Sequence, residues 1–349
     1  MNDINSGNIH TLENMINNST NICIVTHMKP DGDAMGSTTA MYRFLNKAGR
    51  KPKIVLNDRY PSYLSFLVSE DMKDDIFIYD DTPSQACRTI TVSDLIICLD
   101  FNAFHRTDRL EEALSSAQGA KILIDHHLNP SWELFDLSFS ETEVSSASEL
   151  LYHILMETTV INGDARRLGK ECAESLMTGM TTDTNNFANS VFPSTLHMAS
   201  DLLEAGVDRD AILNNLYNQY SESRLRLMGH MMKDLLHITD DGVAYIVLDR
   251  KTLEKYMVGE GDTEGFVNMP LSIADVRMSI LAKEDTDRVR ISIRSKRGTS
   301  ANMCARLFFN GGGHENAAGG RLHIPAEVKA IESVADYIER TTHLFLKDE

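Results

Sequence analysis

Cysteine is scarce and unpaired. The 349 residues hold five: Cys23, Cys87, Cys98, Cys172 and Cys304. The number is odd, and no pair has the close spacing of a zinc knuckle, so no cysteine framework is expected. Cys23 and Cys98 sit in apolar strand-like runs, where buried reduced thiols belong. No apolar run approaches the roughly 20 residues a membrane span requires. Polar Met1 to Asn8 leads into no signal-peptide core, and a cytoplasmic protein away from membranes is expected. Internal repeats and low-complexity segments are also missing. Positive charge is in deficit, with 34 Lys and Arg against 51 Asp and Glu, a net charge of −17. Proteins that grip long DNA or RNA present basic surfaces, because neutralising phosphates drives the affinity. A long nucleic acid is therefore not the expected stable partner, and any phosphate ester bound here should be small.

The pattern that is present alternates strands and helices. Ile9, Leu12, Met15 and Ile16 recur at helical spacing. Asn21–His27 reads as a buried strand, Pro30 and Gly32 as a sharp turn, and Ala34 to Ala48 as a helix stopped by Gly49. Lys53–Leu56, Thr91–Asp100 and Lys121–Asp125 read as further strands. Continuous apolar strands separated by helices predict an α/β fold with a mostly parallel sheet. Ser145 to Thr182 reads as helical, with helices also expected over Leu196–Ala205, Ala211–Tyr220 and Arg224–His237. A second α/β pattern follows: strands at Val243–Leu248, Val276–Leu281 and Arg288–Arg294, a helix over Ala301–Phe308, and a final helix from about Ala326 to Phe345. The expected division is 1–191 for a catalytic domain, 192–240 for a helical connector and 241–349 for a smaller second domain.

Three strand ends carry ligand-type residues. His27-Met-Lys-Pro-Asp31-Gly-Asp33 follows the first strand, and Gly32 lets that turn be tight. Asp100 ends another strand, and Asp125-His126-His127 ends a third. Open parallel sheets collect ligands at the carboxyl ends of their strands. Asp183 adds a carboxylate after a helix. Four carboxylates and two imidazoles exceed the needs of one zinc and suit two divalent ions sharing a bridging carboxylate. Manganese fits best and magnesium next, with zinc or iron open. Such pairs clamp phosphoryl oxygens and acidify a water, so hydrolysis of a phosphate ester or anhydride is expected.

These residues resemble the DHH phosphoesterase superfamily. The first motif is matched by His27-Met-Lys-Pro-Asp-Gly-Asp-Ala-Met-Gly36-Ser37, the naming motif by Asp125-His126-His127, and a later aspartate motif by Gly179-Met-Thr-Thr-Asp-Thr184 with Phe187 beyond it. Ser292-Ile-Arg294-Ser295 and Gly311-Gly-Gly-His314-Glu-Asn-Ala-Ala-Gly319 resemble the DHHA1 substrate-binding domain. The resemblance implies an active site in the cleft between a DHH and a DHHA1 domain. It implies one metal on His27, Asp31 and Asp100, and another on Asp33, Asp100, His126 and Asp183, with Asp100 and Asp183 reaching both. His127 would touch the substrate phosphate or orient its neighbours, and Asp125 would support it. Arg294, Ser295 and His314 would bind the substrate's phosphate and nucleotide end, helped by backbone N–H groups of Gly311, Gly312 and Gly313.

Charge patterning adds to that last assignment. Arg288, Arg290, Arg294 and Lys296 form a basic stripe along one strand, with Val289, Ile291 and Ile293 on its other face. Glu315 follows His314 where some relatives carry a basic or neutral residue. Within the superfamily the chain is too short for the added oligonucleotide-binding fold of RecJ-type exonucleases. Family pyrophosphatases lack the Gly-Gly-Gly-His signature, and the membrane-bound cyclic di-adenylate phosphodiesterases carry spans this chain does not show. The remaining group comprises stand-alone enzymes acting on very short RNAs and pAp-like nucleotides. The open alternatives are a polyphosphate hydrolase, a cyclic-dinucleotide or pApA phosphodiesterase, and a nucleotide-binding regulator without catalysis. A homodimer is also compatible with the sequence.

Overall fold

The computed structural model describes residues 4–219, 221–259, 262–263 and 265–347, the His314 side chain excepted. It divides into two units, Met1–Gln219 and Tyr220–Glu349. In the first, α1 (Ser6–Asn18) leads to β1 (Ile22–Thr26), α2 (Gly32–Lys47), β2 (Lys53–Leu56), β3 (Ile76–Ile78), α3 (Pro83–Thr91) and β4 (Leu95–Leu99). Then come α4 (Glu111–Ser116), β5 (Ala120–Asp125), β6 (Leu137–Ser140), α5 (Ala147–Glu157), α6 (Lys170–Asp183), α7 (Pro193–Glu204) and α8 (Arg209–Tyr217). The sheet order is β3-β2-β1-β4-β5-β6, and every pairing in it is parallel.

Side-chain alternation explains why both faces are covered. Ile22, Ile24, Ile97 and Ile122 bury against α1, α2, α5 and α6, while Cys23, Val25, Ile96 and Cys98 bury against α3 and α4. A strand buried on both faces has to be apolar throughout, which is the composition of β1 and β4. Burial also raises the Cys23 and Cys98 thiols above their ordinary range, keeping them protonated.

The second unit contains α9 (Glu222–His230), β7 (His237–Ile238), β8 (Val243–Leu248), α10 (Arg250–Lys255), β9 (Met278–Glu284), β10 (Arg288–Ser295), α11 (Ala301–Phe308), β11 (Gly312–His314), β12 (Ala317–His323) and α12 (Val334–Lys347). Its sheet runs β11-β12-β10-β9-β8-β7. Only β8–β9 pairs in parallel; the other pairings are antiparallel. α11 and α12 cover one face of this sheet, and α9 packs with Phe266 and Val267 over the other.

Three expectations change. The segment 192–240 is not a unit of its own, because α7 and α8 pack on α6 in the first unit while α9 belongs to the second. The helix expected to reach His237 stops at His230, and after one wide turn β7 begins. The last helix starts at Val334, not near Ala326. Residues 324–330 instead form a turn held by the Glu327 carboxylate, which accepts from the His323 amide.

Candidate metal centre

Strand register assembles the site. Thr26 pairs with Leu99, and Leu99 with Ile124, so the next residues, His27, Asp100 and Asp125, stand side by side at the strands' carboxyl ends. β1 and β4 are neighbours, and the chain runs outward from β1 through β2 and β3 before crossing back to β4. This is the point where strand order reverses, the usual place for a ligand in an open parallel sheet.

Helix α2 brings the next two carboxylates. Asp31 caps it, accepting from the amides of Asp33 (3.0 Å) and Ala34 (3.1 Å), the standard use of an aspartate at a helix start. Asp33 is buried and accepts from the Ala147 and Ser148 amides (2.6 and 2.9 Å) at the start of α5. Behind that turn, buried Glu149 accepts from Ser145 and Thr195. Asp183 arrives on the last turn of α6. The two helices meet backbone to backbone: a Cβ on Gly36 would stand 2.7 Å from the Ser175 carbonyl, and one on Gly179 would stand 2.7 Å from Asp33 Oδ1.

The side chains converge in overlapping groups. His27, Asp31 and Asp100 form one, Asp33, His126 and Asp183 a second, and Asp100, His126 and His127 a third, each with donor atoms within 4.8 Å of one another. Asp100 joins them. Its Oδ2 lies 3.4 Å from His27 Nε2, and its Oδ1 lies 3.6 Å from His126 Nε2. His126 Nε2 is also 3.4 Å from Asp183 Oδ2. Asp100 has a positive φ of 64°, uncommon for a residue with a side chain and often tied to function. Its Oδ1 is buried with no hydrogen-bond partner among the described residues.

Electrostatics point the same way. Burial, then Asp33, Asp31 and Asp125, push the Asp100 carboxyl well above the ordinary carboxylate range, and the Arg106 guanidinium opposes them. Burial pushes Asp33 up to about 6. A third of the Asp183 side chain meets solvent, yet the packing around it and the charges of Asp33, Asp100 and Asp31 push it up to about 9. Burial, helped by His127, lowers His126 to about 4, leaving a neutral imidazole with a lone pair to give. His27 Nδ1 lies 2.8 Å from the Met28 carbonyl, which fixes Nε2 as the ligand-ready nitrogen. Crowded carboxylates, the neutral His126 imidazole, the ring nitrogen of His27 and an Asp100 oxygen without a partner among the described residues form a donor set that fits divalent cations.

The supporting residues are also in place. Asp125, fully buried, holds His127 through Nδ1 (2.7 Å) and the backbone amide (3.1 Å). Arg106 has no counterpart among the residues singled out from the sequence. Its carbonyl accepts from the Met28 amide (2.8 Å), tying its loop to the one that carries His27. Its only sequence signal is its position six residues past Asp100.

The second unit revises part of the expected substrate set. Arg288 and Arg290 pair with Asp285, and Arg288 also with Asp287, so that half of the basic stripe is neutralised. Ser295 lies on the buried face of β10, where its hydroxyl donates to the Thr299 carbonyl (2.6 Å) and accepts from the Asn316 side chain (3.0 Å). Gly311–Gly313 is not an open cradle. Gly312 and Gly313 lie in β11, and the amides of Gly311 and Gly313 already donate to the Ala305 carbonyl and to Asn302 Oδ1. Arg294 is half-buried on the β10 face opposite Ile291 and Ile293, and among the described residues its guanidinium donates to carbonyls and pairs with no carboxylate. The His314 side chain lies outside the described residues.

A six-stranded parallel sheet with paired Asp and His at its switch point defines a class, and comparison names it. The DHH family's N-terminal domain matches residues 21–180, and the DHHA1 domain matches residues 231–340. The chain belongs to the DHH family of phosphoesterases, with a DHHA1 domain after the DHH domain. It is similar to an exopolyphosphatase-related protein from Bacteroides fragilis: 35% identity, a TM-score of 0.90, and coverage of 98% of this chain and 97% of that one. It is 27% identical over 307 residues to the bifunctional oligoribonuclease and PAP phosphatase NrnA of Bacillus subtilis, covering 86% of this chain and 89% of that protein. The protein of the same name from Thermus thermophilus is 29% identical over 334 residues, 93% of this chain and 92% of its own.

Proposed function

We propose that this phosphoesterase hydrolyses short oligoribonucleotides and 3′-phosphoadenosine 5′-phosphate (pAp) in the cytoplasm, using two divalent ions, manganese first and magnesium second. The observation that carries the metal reading is Asp100, whose two oxygens face separate imidazoles while one of them lacks any partner among the described residues. His27 and Asp31 complete one ligand group with Asp100; Asp33, His126 and Asp183 complete the other. Bound divalent ions supply Lewis-acid polarisation of a phosphoryl oxygen and an acidified water.

The chain's own residues do the rest. Asp31, Asp33, Asp100 and Asp183 supply the negative charge that holds the cations. His127, oriented by Asp125, contacts the substrate phosphate. Arg106 opposes the crowding of negative charge at Asp100. Arg294, a cation with no carboxylate partner among the described residues, takes the substrate's second phosphate. The substrate class rests on the relatives named oligoribonuclease and PAP phosphatase and on the net charge of −17, which disfavours long polyanions.

The test is hydrolysis of a panel with manganese: pAp, di- and trinucleotides, a cyclic dinucleotide and polyphosphate. Fastest release from pAp or the linear short nucleotides is the expected result. Turnover of polyphosphate alone would move the assignment to phosphoanhydride hydrolysis.

A further inference from the structure

The loops that deliver the candidate metal ligands also expose large apolar side chains. Met28, next to His27, is 40% exposed; Leu128, next to His127, is 70% exposed; Trp132, a few residues further on, is 53% exposed. Trp132 is the chain's single tryptophan. Apolar surface left in water forgoes stabilisation by burial, and a rigid apolar patch beside polar chemistry marks a binding surface.

The loop carrying Leu128 and Trp132 is held in place. Asn102, two residues past Asp100, donates from its side chain to the Leu128 carbonyl (2.7 Å), and its own carbonyl accepts from the Ser131 amide (2.9 Å). The loop beyond is anchored where Phe135 packs edge-on against Phe104, with ring centroids 5.6 Å apart. The 128–132 loop is thus fixed to the same turn that carries Asp100. A phosphate held at the cluster carries a sugar and a base with it, and an indole offers the flat face on which a base stacks.

We propose that Leu128 and Trp132 form the platform for the substrate nucleobase nearest the scissile phosphate, a subsite that accepts any base. The proposal rests on the nucleotide-hydrolase reading above and deepens it. Because Trp132 is the sole tryptophan, its fluorescence reports the contact without turnover. With manganese bound, a non-hydrolysable phosphonate analogue of pAp should quench it, while the base-free phosphonate of the same phosphate pattern should not. With manganese, wild type should prefer pAp over the base-free ribose bisphosphate in kcat/KM. Trp132→Ala should lose about tenfold of that preference, the scale of one base stack, and Trp132→Phe should keep most of it. Equal quenching by the two ligands, or an unchanged preference in Trp132→Ala, would overturn the platform. If wild type hydrolyses no nucleotide, the substrate reading fails, and the fluorescence comparison still decides whether a base rests on Trp132.

Discussion

A buried carboxylate oxygen with no donor is destabilising by itself, because it has lost water and gained nothing. Asp100 persists with no donor to its Oδ1 among the described residues and with a positive φ, and divalent cations are the compensation its neighbours are built to hold. Residues of this kind were legible in the sequence because Asp and His are out of place at the ends of apolar strands. Residues whose role depends on what lies across the fold were not. Arg288 and Arg290 look as free as Arg294 until the turn folds Asp285 and Asp287 back on them. Ser295 looks available until the pleat turns it inward. Arg294 therefore carries the residue-scale prediction. Losing a charge-assisted contact to phosphate costs about 1.5–3 kcal/mol, so Arg294→Ala should lower kcat/KM for pAp roughly tenfold to a hundredfold. Its bound manganese should match wild type. Steady-state kinetics and metal analysis on one preparation check this, and a variant that loses its metals would refute the role.

Among the elements, the contact between α2 and α6 sets the distance between Asp33 and Asp183. Gly36 and Gly179 make it possible, and added methyl groups would meet backbone and ligand atoms. Gly36→Ala should force the helices apart, destabilise the fold by about 1–3 kcal/mol and weaken metal binding. Chemical denaturation beside manganese titration measures both; native stability with native affinity would show that the close approach is dispensable. The parallel strands were readable because burial on both faces demands unbroken apolar runs. The short edges were not: β3, β6 and β11 contain three or four residues each, too few to show a period. The Gly311–Gly313 run reads as a loop from composition, but glycine also permits the tight β11–β12 pairing, where Gly312 lies opposite Gly319.

For the whole molecule, the acidic centre couples folding to pH. Asp183 is pushed up to about 9 and Asp33 to about 6, against roughly 4 in an unfolded chain. The metal-free native state therefore holds protons that the unfolded state has released. Their stabilising contribution is complete below about pH 4 and is lost as pH rises through 6 and then 9. Divalent ions replace those protons. The rise in Tm on adding manganese should therefore be larger at pH 8.5 than at pH 6, read by thermal unfolding with EDTA as the baseline. A rise that shrinks with pH would contradict the protonated, metal-free cluster.

Asp100 would be the ligand shared by both ion sites of the proposed centre, and comparing wild type with Asp100→Asn tests that role most directly. Manganese content per chain and phosphate release from pAp are measured on the same samples after equilibration with manganese. Wild type should hold about two ions per chain and turn over pAp. Asp100→Asn, whose amide no longer neutralises two cations, should lose bound manganese and fall in rate by a hundredfold or more, on the order expected for loss of metal-ion catalysis. An Asp100→Asn enzyme with wild-type metal content and wild-type turnover would show that Asp100 is not a shared ligand of the two ions.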